Sequence, residues 1–258
     1  MSVIHTDKWL NKWYYNPVQL CERLEKYFPD VLATDIHHYL SLNGMYRRPN
    51  RNGESFIENV RDKFKIVEQE HQYLKNKWNG PDIPIFIFPS DPTNRKIIRE
   101  FNGKSGLAFK DKLFLFISDH NTKDEIRALF THEYNHVCRL AHSQKIEGNF
   151  TLLDTIVLEG LAENAVHERL GKKHLAAWTS YYSIPKLKML WEDIVKPNKD
   201  VSINSRKHNQ ILYGLQLYPK MTGYAVGFYI VETYLKEHHL EVKNLLKMDS
   251  KKIANCSL

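Results

Sequence analysis

The sequence predicts an α+β protein that is mainly helical, with a small, mostly antiparallel sheet placed before a helix that carries two histidines. Two observations support this fold class. Apolar residues recur at helical spacing toward both ends of the chain, whereas the apolar runs typical of strands are confined to residues 83–117. We therefore expect an N-terminal helical region over residues 1–80. A second region, with the sheet and the remaining helices, is expected over residues 81–258.

The N-terminal region contains two helical patterns. Pro17 is suited to open the first, because proline is favoured at the first helical position, and Leu20, Leu24 and Phe28 follow at intervals of four residues. Residues 54–78 repeat apolar residues at helical spacing over a much longer stretch, which predicts a long amphipathic helix.

The middle of the chain changes to the pattern of strands. Residues 83–88 form an apolar run closed by a proline, which is typical of a buried strand. A short helix is expected over residues 92–101. Residues 106–109 and 113–117 are separated by charged residues, and this spacing predicts a β-hairpin. From residue 123 onward the pattern predicts helices only.

Composition and charge exclude several classes of protein. The 258 residues are 42% hydrophobic and 26% charged, which excludes a largely disordered chain. The formal net charge is +7, but the basic residues are dispersed, so we expect no nucleic-acid partner. No apolar segment predicts a signal sequence or a membrane span, and we expect a cytoplasmic protein. The cysteines are too sparse for a disulfide framework: Cys21, Cys138 and Cys256.

The strongest chemical signal is the motif HEYNH at residues 132–136. In a helix, His132 and His136 lie one turn apart on the same face, so both imidazoles can bind one zinc ion. Glu133 is then placed to act as a general base on a water molecule. Helical spacing also puts Glu133 among apolar residues, where an unpaired carboxylate is costly. The alternative is a buried, hydrogen-bonded histidine pair on an ordinary helix.

A second helix is expected to start at Thr151, which forms with Asp154 the pattern of a helix N-cap followed by an acidic residue. Glu159 and Glu163 lie one turn apart on the apolar face of this helix. A catalytic zinc takes three protein ligands and leaves the fourth position to water. The candidate ligands are His132, His136 and Glu159. Glu163 can hydrogen-bond a ligating histidine and fix its tautomer.

An HExxH helix followed by a glutamate on a second helix resembles the zincin-like, gluzincin arrangement of zinc metallopeptidases. The segments HEYNHV at 132–137, LEGLAE at 158–163 and GYAVGF at 223–228 resemble more narrowly the YjaZ-like family of predicted zinc-dependent proteases. The resemblance covers residues 80–240 and implies a zinc-dependent hydrolase that acts on peptides. Glu163 departs from the wider gluzincin pattern, in which an aspartate is common at this point.

The scissile carbonyl oxygen needs a hydrogen-bond donor as it becomes negative. Tyr224 is the first candidate, because it lies in the GYxxG element and opens the last long apolar helix. Tyr218 and His208 are its rivals. The hairpin at residues 106–117 offers an edge on which an extended peptide can pair, or its apolar side chains fill only the core.

The leading interpretation is a zinc metallopeptidase with a peptide or protein substrate, Zn²⁺ as cofactor, and Glu133 and Tyr224 as catalytic residues. Two alternatives stay open at this point. One is a zinc hydrolase of a non-peptide substrate, and the other is a non-catalytic zinc-binding protein with a regulatory or interaction role.

Overall fold

The computed structural model describes residues 2–143, 145 and 147–255, and within this part of the chain helices predominate and three strands form one sheet. The predicted α+β class is confirmed. Contacts between Cα atoms divide the chain into two compact units, Met1–Val137 and Cys138–Leu258. The boundary expected at residue 80 stays a prediction, and Cys256 lies outside the described residues.

The first unit begins with helices, continues into the sheet and ends inside a long helix. Pro17 is the first residue of its helix, as predicted, and the Asn16 side chain accepts the N–H of Gln19. A 3-10 helix over Glu22–Tyr27 follows directly. The elements are α1 (Thr6–Trp13), α2 (Pro17–Cys21), α3 (Ala33–Leu42), α4 (Arg51–Trp78), β1 (Ile85–Pro89), α5 (Arg95–Phe101), β2 (Ser105–Ala108), β3 (Leu113–Ile117) and α6 (Lys123–His142).

Helix α4 is the long amphipathic helix that the spacing predicts. Its N-terminus is capped by Asn50, whose side-chain oxygen accepts the N–H of Gly53 at 3.0 Å. It ends at Trp78, and the next residue, Asn79, adopts the left-handed conformation typical of a helix C-terminus. The side chains at helical spacing are buried, which confirms the predicted apolar face: Phe56, Val60, Phe64, Val67 and Leu74.

The sheet has the strand order β1-β3-β2, so β3 is central and β2 lies at an edge. The predicted hairpin is confirmed, because β2 and β3 pair antiparallel. The prediction of a mostly antiparallel sheet is wrong, since β1 pairs with β3 in parallel, from Ile85 opposite Leu113 to Pro89 opposite Ile117. A parallel pair requires a long crossover, and residues 90–112 supply it through α5 and β2.

The second unit contains the remaining helices. Helix α7 begins with the predicted cap: the Thr151 side chain accepts the N–H of Asp154, and the Asp154 carboxylate accepts the N–H of Thr151. Among the described residues, no helix combines the length and the apolar character needed to span a membrane. The helices are α7 (Leu152–Leu170), α8 (Ile184–Leu190), α9 (Arg206–Tyr213), α10 (Thr222–His238), α11 (Val242–Leu245) and α12 (Ser250–Ile253), with 3-10 turns at Lys172–His174, Ala177–Ser180 and Lys196–Asn198 and a π-helical segment at Trp191–Val195.

The C-terminal segment is held to the end of α6 by Arg139. Its partly buried guanidinium donates hydrogen bonds to the carbonyl oxygens of Leu245 and Leu246, at 2.8 and 3.2 Å. These carbonyls lie at the end of α11, where helical backbone acceptors have no partner within the helix. Arg139 therefore supplies the hydrogen bonds that α11 needs at its C-terminus.

Candidate metal centre

The histidines of the HEYNH motif lie on α6, one turn apart. The ring centroids of His132 and His136 are 4.7 Å apart, and the ring planes are almost perpendicular, at 87°. His136 is buried, and His132 is partly exposed. The two imidazoles are therefore side by side on one face of the helix, as the four-residue spacing predicts.

Helix α4 packs on α6 and fixes its orientation within the first unit. Arg127 of α6 forms an ion pair with the buried carboxylate of Glu70, with 3.0 Å between Nε and Oε2. Tyr134, inside the motif, contacts the ring of His71 edge-on at 5.2 Å between centroids. Its hydroxyl donates a hydrogen bond to the carbonyl oxygen of Pro81 at 2.8 Å. Tyr134 thus anchors the motif on the side of the helix that packs against α4.

Glu133 lies against the edge strand of the sheet. A Cβ atom placed on Gly106 of β2 would come within 2.6 Å of Glu133 Oε1 and would overlap the carboxyl carbon. The Glu133 side chain therefore occupies the space that any other residue at position 106 would fill. Its side chain is largely buried, with the residue 9% exposed. The sequence predicts both elements but not this contact.

In the second unit, the position of Glu159 is set by an unusually close pair of helices. The next residue, Gly160 of α7, faces Gly227 of α10, and a Cβ atom on either glycine would overlap backbone atoms of the opposite helix. Asn164 links α7 to α10, because its side-chain amide donates hydrogen bonds to the carbonyl oxygens of Gly160 and Phe228 at 2.8 and 3.1 Å. The GYxxG element therefore serves helix packing at its second glycine.

The three predicted ligands are divided between the two units: His132 and His136 stand on α6 in the first unit, and Glu159 stands on α7 in the second. That all three bind one metal ion stays a prediction. Two imidazole nitrogens and one carboxylate oxygen form the donor set of catalytic zinc sites that leave one position open. The residues present therefore fit zinc by the chemistry of their donors.

Glu163 is buried on α7, one turn after Glu159. Its Oε1 atom accepts the backbone N–H of Ala176 at 2.5 Å. One carboxylate oxygen thus holds the segment that follows α7. The predicted hydrogen bond from Glu163 to a ligating histidine stays a prediction.

Tyr224 lies in a row of aromatic rings on the second unit. Its ring is 5.3 Å from that of Trp178 and 5.7 Å from that of Tyr213. Burial raises the pKa of Tyr213, a hydrogen bond from Tyr224 opposes this, and the negative charge of Glu159 adds to it. Tyr213 is therefore a neighbour of the candidate centre that sequence reasoning missed. It belongs to no motif, and nothing in the sequence separates it from the 14 tyrosines of the chain.

The two rivals of Tyr224 have different surroundings. Both ring nitrogens of His208 have hydrogen-bonding neighbours: Nε2 is 3.0 Å from Thr155 Oγ1, and Nδ1 is 3.2 Å from Asn209 Oδ1. Burial lowers the pKa of His208, so its neutral form is favoured. These contacts are typical of a histidine that joins α9 to α7. Tyr218 is partly exposed in the loop between α9 and α10.

Comparison with known proteins gives a consistent family assignment. A family described as "Predicted Zn-dependent protease" matches residues 64–255. The uncharacterized protein YjaZ of Bacillus subtilis (strain 168) is 43% identical over 245 residues, which cover 91% of each chain. The uncharacterized protein YjfC of the same organism is 22% identical over 191 residues, which cover 70% of this chain and 63% of that relative. No solved structure matches the chain significantly.

Proposed function

Because this chain belongs to the YjaZ-like family of predicted Zn-dependent proteases, we propose that it is a zinc metallopeptidase with a gluzincin-type centre. The ligands are His132 and His136 of α6 and Glu159 of α7. The observation that carries the proposal is the pair of imidazoles on one face of α6, with ring centroids 4.7 Å apart, next to the largely buried carboxylate of Glu133. The substrate is a peptide or protein, and we expect the enzyme to act in the cytoplasm.

The chain's own residues carry the proton transfers. Zinc bound to the three ligands supplies Lewis-acid chemistry, which polarises a carbonyl and makes a water molecule more acidic. Glu133 accepts the proton of the attacking water on its carboxylate and delivers it to the nitrogen of the leaving amine. Tyr224 donates a hydrogen bond to the carbonyl oxygen as that oxygen becomes negative. Glu163 orients a ligand histidine through its second carboxylate oxygen.

The edge strand β2 is the proposed support for the substrate backbone. Among the described strands β2 pairs with β3 alone, and a Cβ atom on Gly106 of this strand would overlap the Glu133 carboxyl group. A peptide that pairs along the other side of β2 would pass beside the general base. The glycine lets the base approach the strand closely.

Metal content is the first test. We expect close to one zinc ion per chain in the purified protein, measured by plasma mass spectrometry. His132→Ala should lose this zinc, whereas His38→Ala, which changes an exposed histidine on α3, should keep it. Zinc that survives both His132→Ala and Glu159→Ala would place the metal elsewhere and refute the proposed ligands.

Hydrolysis tests the general base. Glu133→Gln should retain zinc and reduce casein cleavage by at least about 100-fold, because the amide cannot accept the proton. Glu237→Gln on α10 is the matched control and should cleave like the wild type. A zinc-loaded wild-type protein that cleaves no peptide bond would instead favour a non-peptide substrate or a non-catalytic zinc protein.

A further inference from the structure

Exposed apolar side chains are concentrated in two short segments of the second unit. Among the described residues of Cys138–Leu258, the large apolar side chains that stand exposed all fall in residues 181–189 and 213–217. Leu217 is the extreme case, at 98% exposed. Scattered exposed leucines need no explanation, but a cluster of this kind is typical of an interaction surface. The side chains are Tyr181, Ile184, Met189, Tyr213, Leu215 and Leu217.

The first segment contacts Lys220, which lies in the same loop as Leu217. The Tyr182 hydroxyl donates a hydrogen bond to the carbonyl oxygen of Lys220 at 2.6 Å. The ammonium group of Lys220 lies over the ring of Tyr181, 5.7 Å from its centroid. We call the six exposed residues together with Lys220 the tyrosine–leucine surface.

The loop that presents Leu217 is closed by its own backbone. The N–H of Met221 donates a hydrogen bond to the carbonyl oxygen of Tyr213 at 2.9 Å. The N–H of Leu215 donates one to the carbonyl oxygen of Gln210 at 2.8 Å. Gly214 has φ +66°, and a Cβ atom there would collide with the carbonyl oxygen of Pro219. A compact, internally bonded loop holds its tip in one place, so the exposure of Leu217 is built into the fold.

This surface is continuous with the candidate centre. Tyr213 opens the loop, packs on Tyr224, and lies close enough to Glu159 to sense its charge. Trp178 extends the row of rings on the other side of Tyr224. A ligand on the tyrosine–leucine surface would therefore lie beside a residue proposed to bind the metal.

The charged side chains within the surface are lysines. Residues 181–189 and 213–220 contain three lysines and no aspartate or glutamate, and the nearest carboxylates in sequence, Glu192 and Asp193, follow the first segment. Two of the lysines, Lys186 and Lys188, precede the exposed Met189 on α8, and Lys220 is part of the surface itself. Such a surface complements a ligand that is both apolar and acidic.

We propose that the tyrosine–leucine surface binds peptide segments in which an apolar side chain is flanked by acidic residues, and that substrates carry such a segment. This inference rests on the proposed peptidase function and adds the class of substrate. Leu217 and Leu215 contact the apolar side chain, and the lysines face the carboxylates. An anionic membrane shares part of this chemistry, but the continuity with Tyr224 and Glu159 favours a peptide.

Binding is tested separately from cleavage with the full-length, zinc-loaded Glu133→Gln protein. Three fluorescein-labelled ten-residue peptides serve as probes for fluorescence anisotropy. The first contains glutamates around a central leucine, the second has serine in place of leucine, and the third has lysines in place of the glutamates. The first should bind at least about tenfold more tightly than either of the others, and high salt should weaken it. Equal affinities for the three peptides would overturn the proposal.

Substitutions locate the binding to the surface. Leu217→Ser should raise the dissociation constant of the leucine peptide about tenfold and leave that of the serine peptide unchanged. Leu32→Ser is the matched control, because Leu32 is 68% exposed in the first unit. Gly214→Ala should have the same effect as Leu217→Ser by opening the loop. Unchanged affinity in both Leu217→Ser and Gly214→Ala would refute the assignment.

The inference and the proposed function fail in different ways. Wild-type protein that cleaves casein but shows no preference among the three peptides refutes only the substrate class. Selective binding of the first peptide without cleavage by the wild type supports the surface and counts against the peptidase. Binding to vesicles of phosphatidylglycerol and phosphatidylcholine, with none of the peptides bound, would overturn the peptide assignment in favour of an anionic membrane.

Discussion

The Glu133 side chain occupies space that is open because residue 106 is a glycine. Gly106→Ala would push a methyl group into the Glu133 carboxyl group. We expect zinc to be retained and casein cleavage to fall about 10- to 100-fold, because small displacements of a catalytic group are costly. Gly148→Ala is the control, since a Cβ atom there meets nothing within 4 Å. Unchanged cleavage by Gly106→Ala would show that this contact does not position the base.

Two buried threonines offer a matched test of hydrogen bonding beside the centre. Thr155 Oγ1 is bonded to His208, whereas Thr131 Oγ1 has no hydrogen-bond partner among the described residues. Thr155→Val should lower the free energy of unfolding by about 1–2 kcal/mol, and Thr131→Val should raise it by about 1 kcal/mol. Urea denaturation measures both. A loss of stability in Thr131→Val would mean that its hydroxyl has a partner in solution, such as a buried water.

The residues that the sequence predicts well are those that the spacing in one helix determines. His132 and His136 share a face of α6 because four residues make about one helical turn. Spacing within one helix cannot identify Glu159 as the third ligand, because it lies on another helix, and the sequence supports this role only through family resemblance and the predicted position of Glu159 on an apolar face. The sequence does not predict Tyr213, because what distinguishes it is its proximity to Tyr224 and Glu159 in the folded chain.

The crossing of α7 and α10 is the element contact on which Glu159 depends most directly. Gly160→Ala and Gly227→Ala would each place a methyl group against backbone, which cannot move as a side chain can. We expect each to lower the free energy of unfolding by about 2–3 kcal/mol and to weaken zinc binding by displacing Glu159. Thermal unfolding and zinc titration measure the two effects. If both variants had the wild-type free energy of unfolding and zinc affinity, the two helices could move apart with no loss of stability.

Helices are predicted more completely than the sheet, for a physical reason. Helix α4 and the cap of α7 are set by local periodicity and by side chains such as Asn50 and Thr151 that bond their own helix. The pairing of β1 with β3 joins residues far apart in sequence. Both strands are apolar and buried throughout, so their sequences do not indicate whether they pair parallel or antiparallel. The hairpin was predictable because its strands are neighbours in sequence.

The stability of the whole chain should depend on pH through buried histidines in both units. Burial is the main cause that lowers the pKa of His71 in the first unit and of His208 in the second, from an ordinary value of 6.5. The unfolded chain therefore takes up more protons than the folded chain below pH 6.5. The stability from these neutral histidines is complete above pH 6.5 and declines as the pH falls through their folded values.

Carboxylates add a second decline at lower pH. Burial alone would raise the pKa of Glu125, but hydrogen bonds from Thr122 and Asn102 and the charge of Lys104 lower it from 4.5 to about 2. Its contribution is present above pH 4.5 and is lost between pH 4.5 and 2. We expect the urea midpoint of the metal-free chain to be level from pH 8 to 7, to fall toward pH 5, and to fall again below pH 4.5. His208→Gln should flatten the first decline, whereas the exposed His38→Gln should not. A urea midpoint that rises as the pH is lowered from 7 to 5 would contradict the conclusion that folding keeps these histidines neutral.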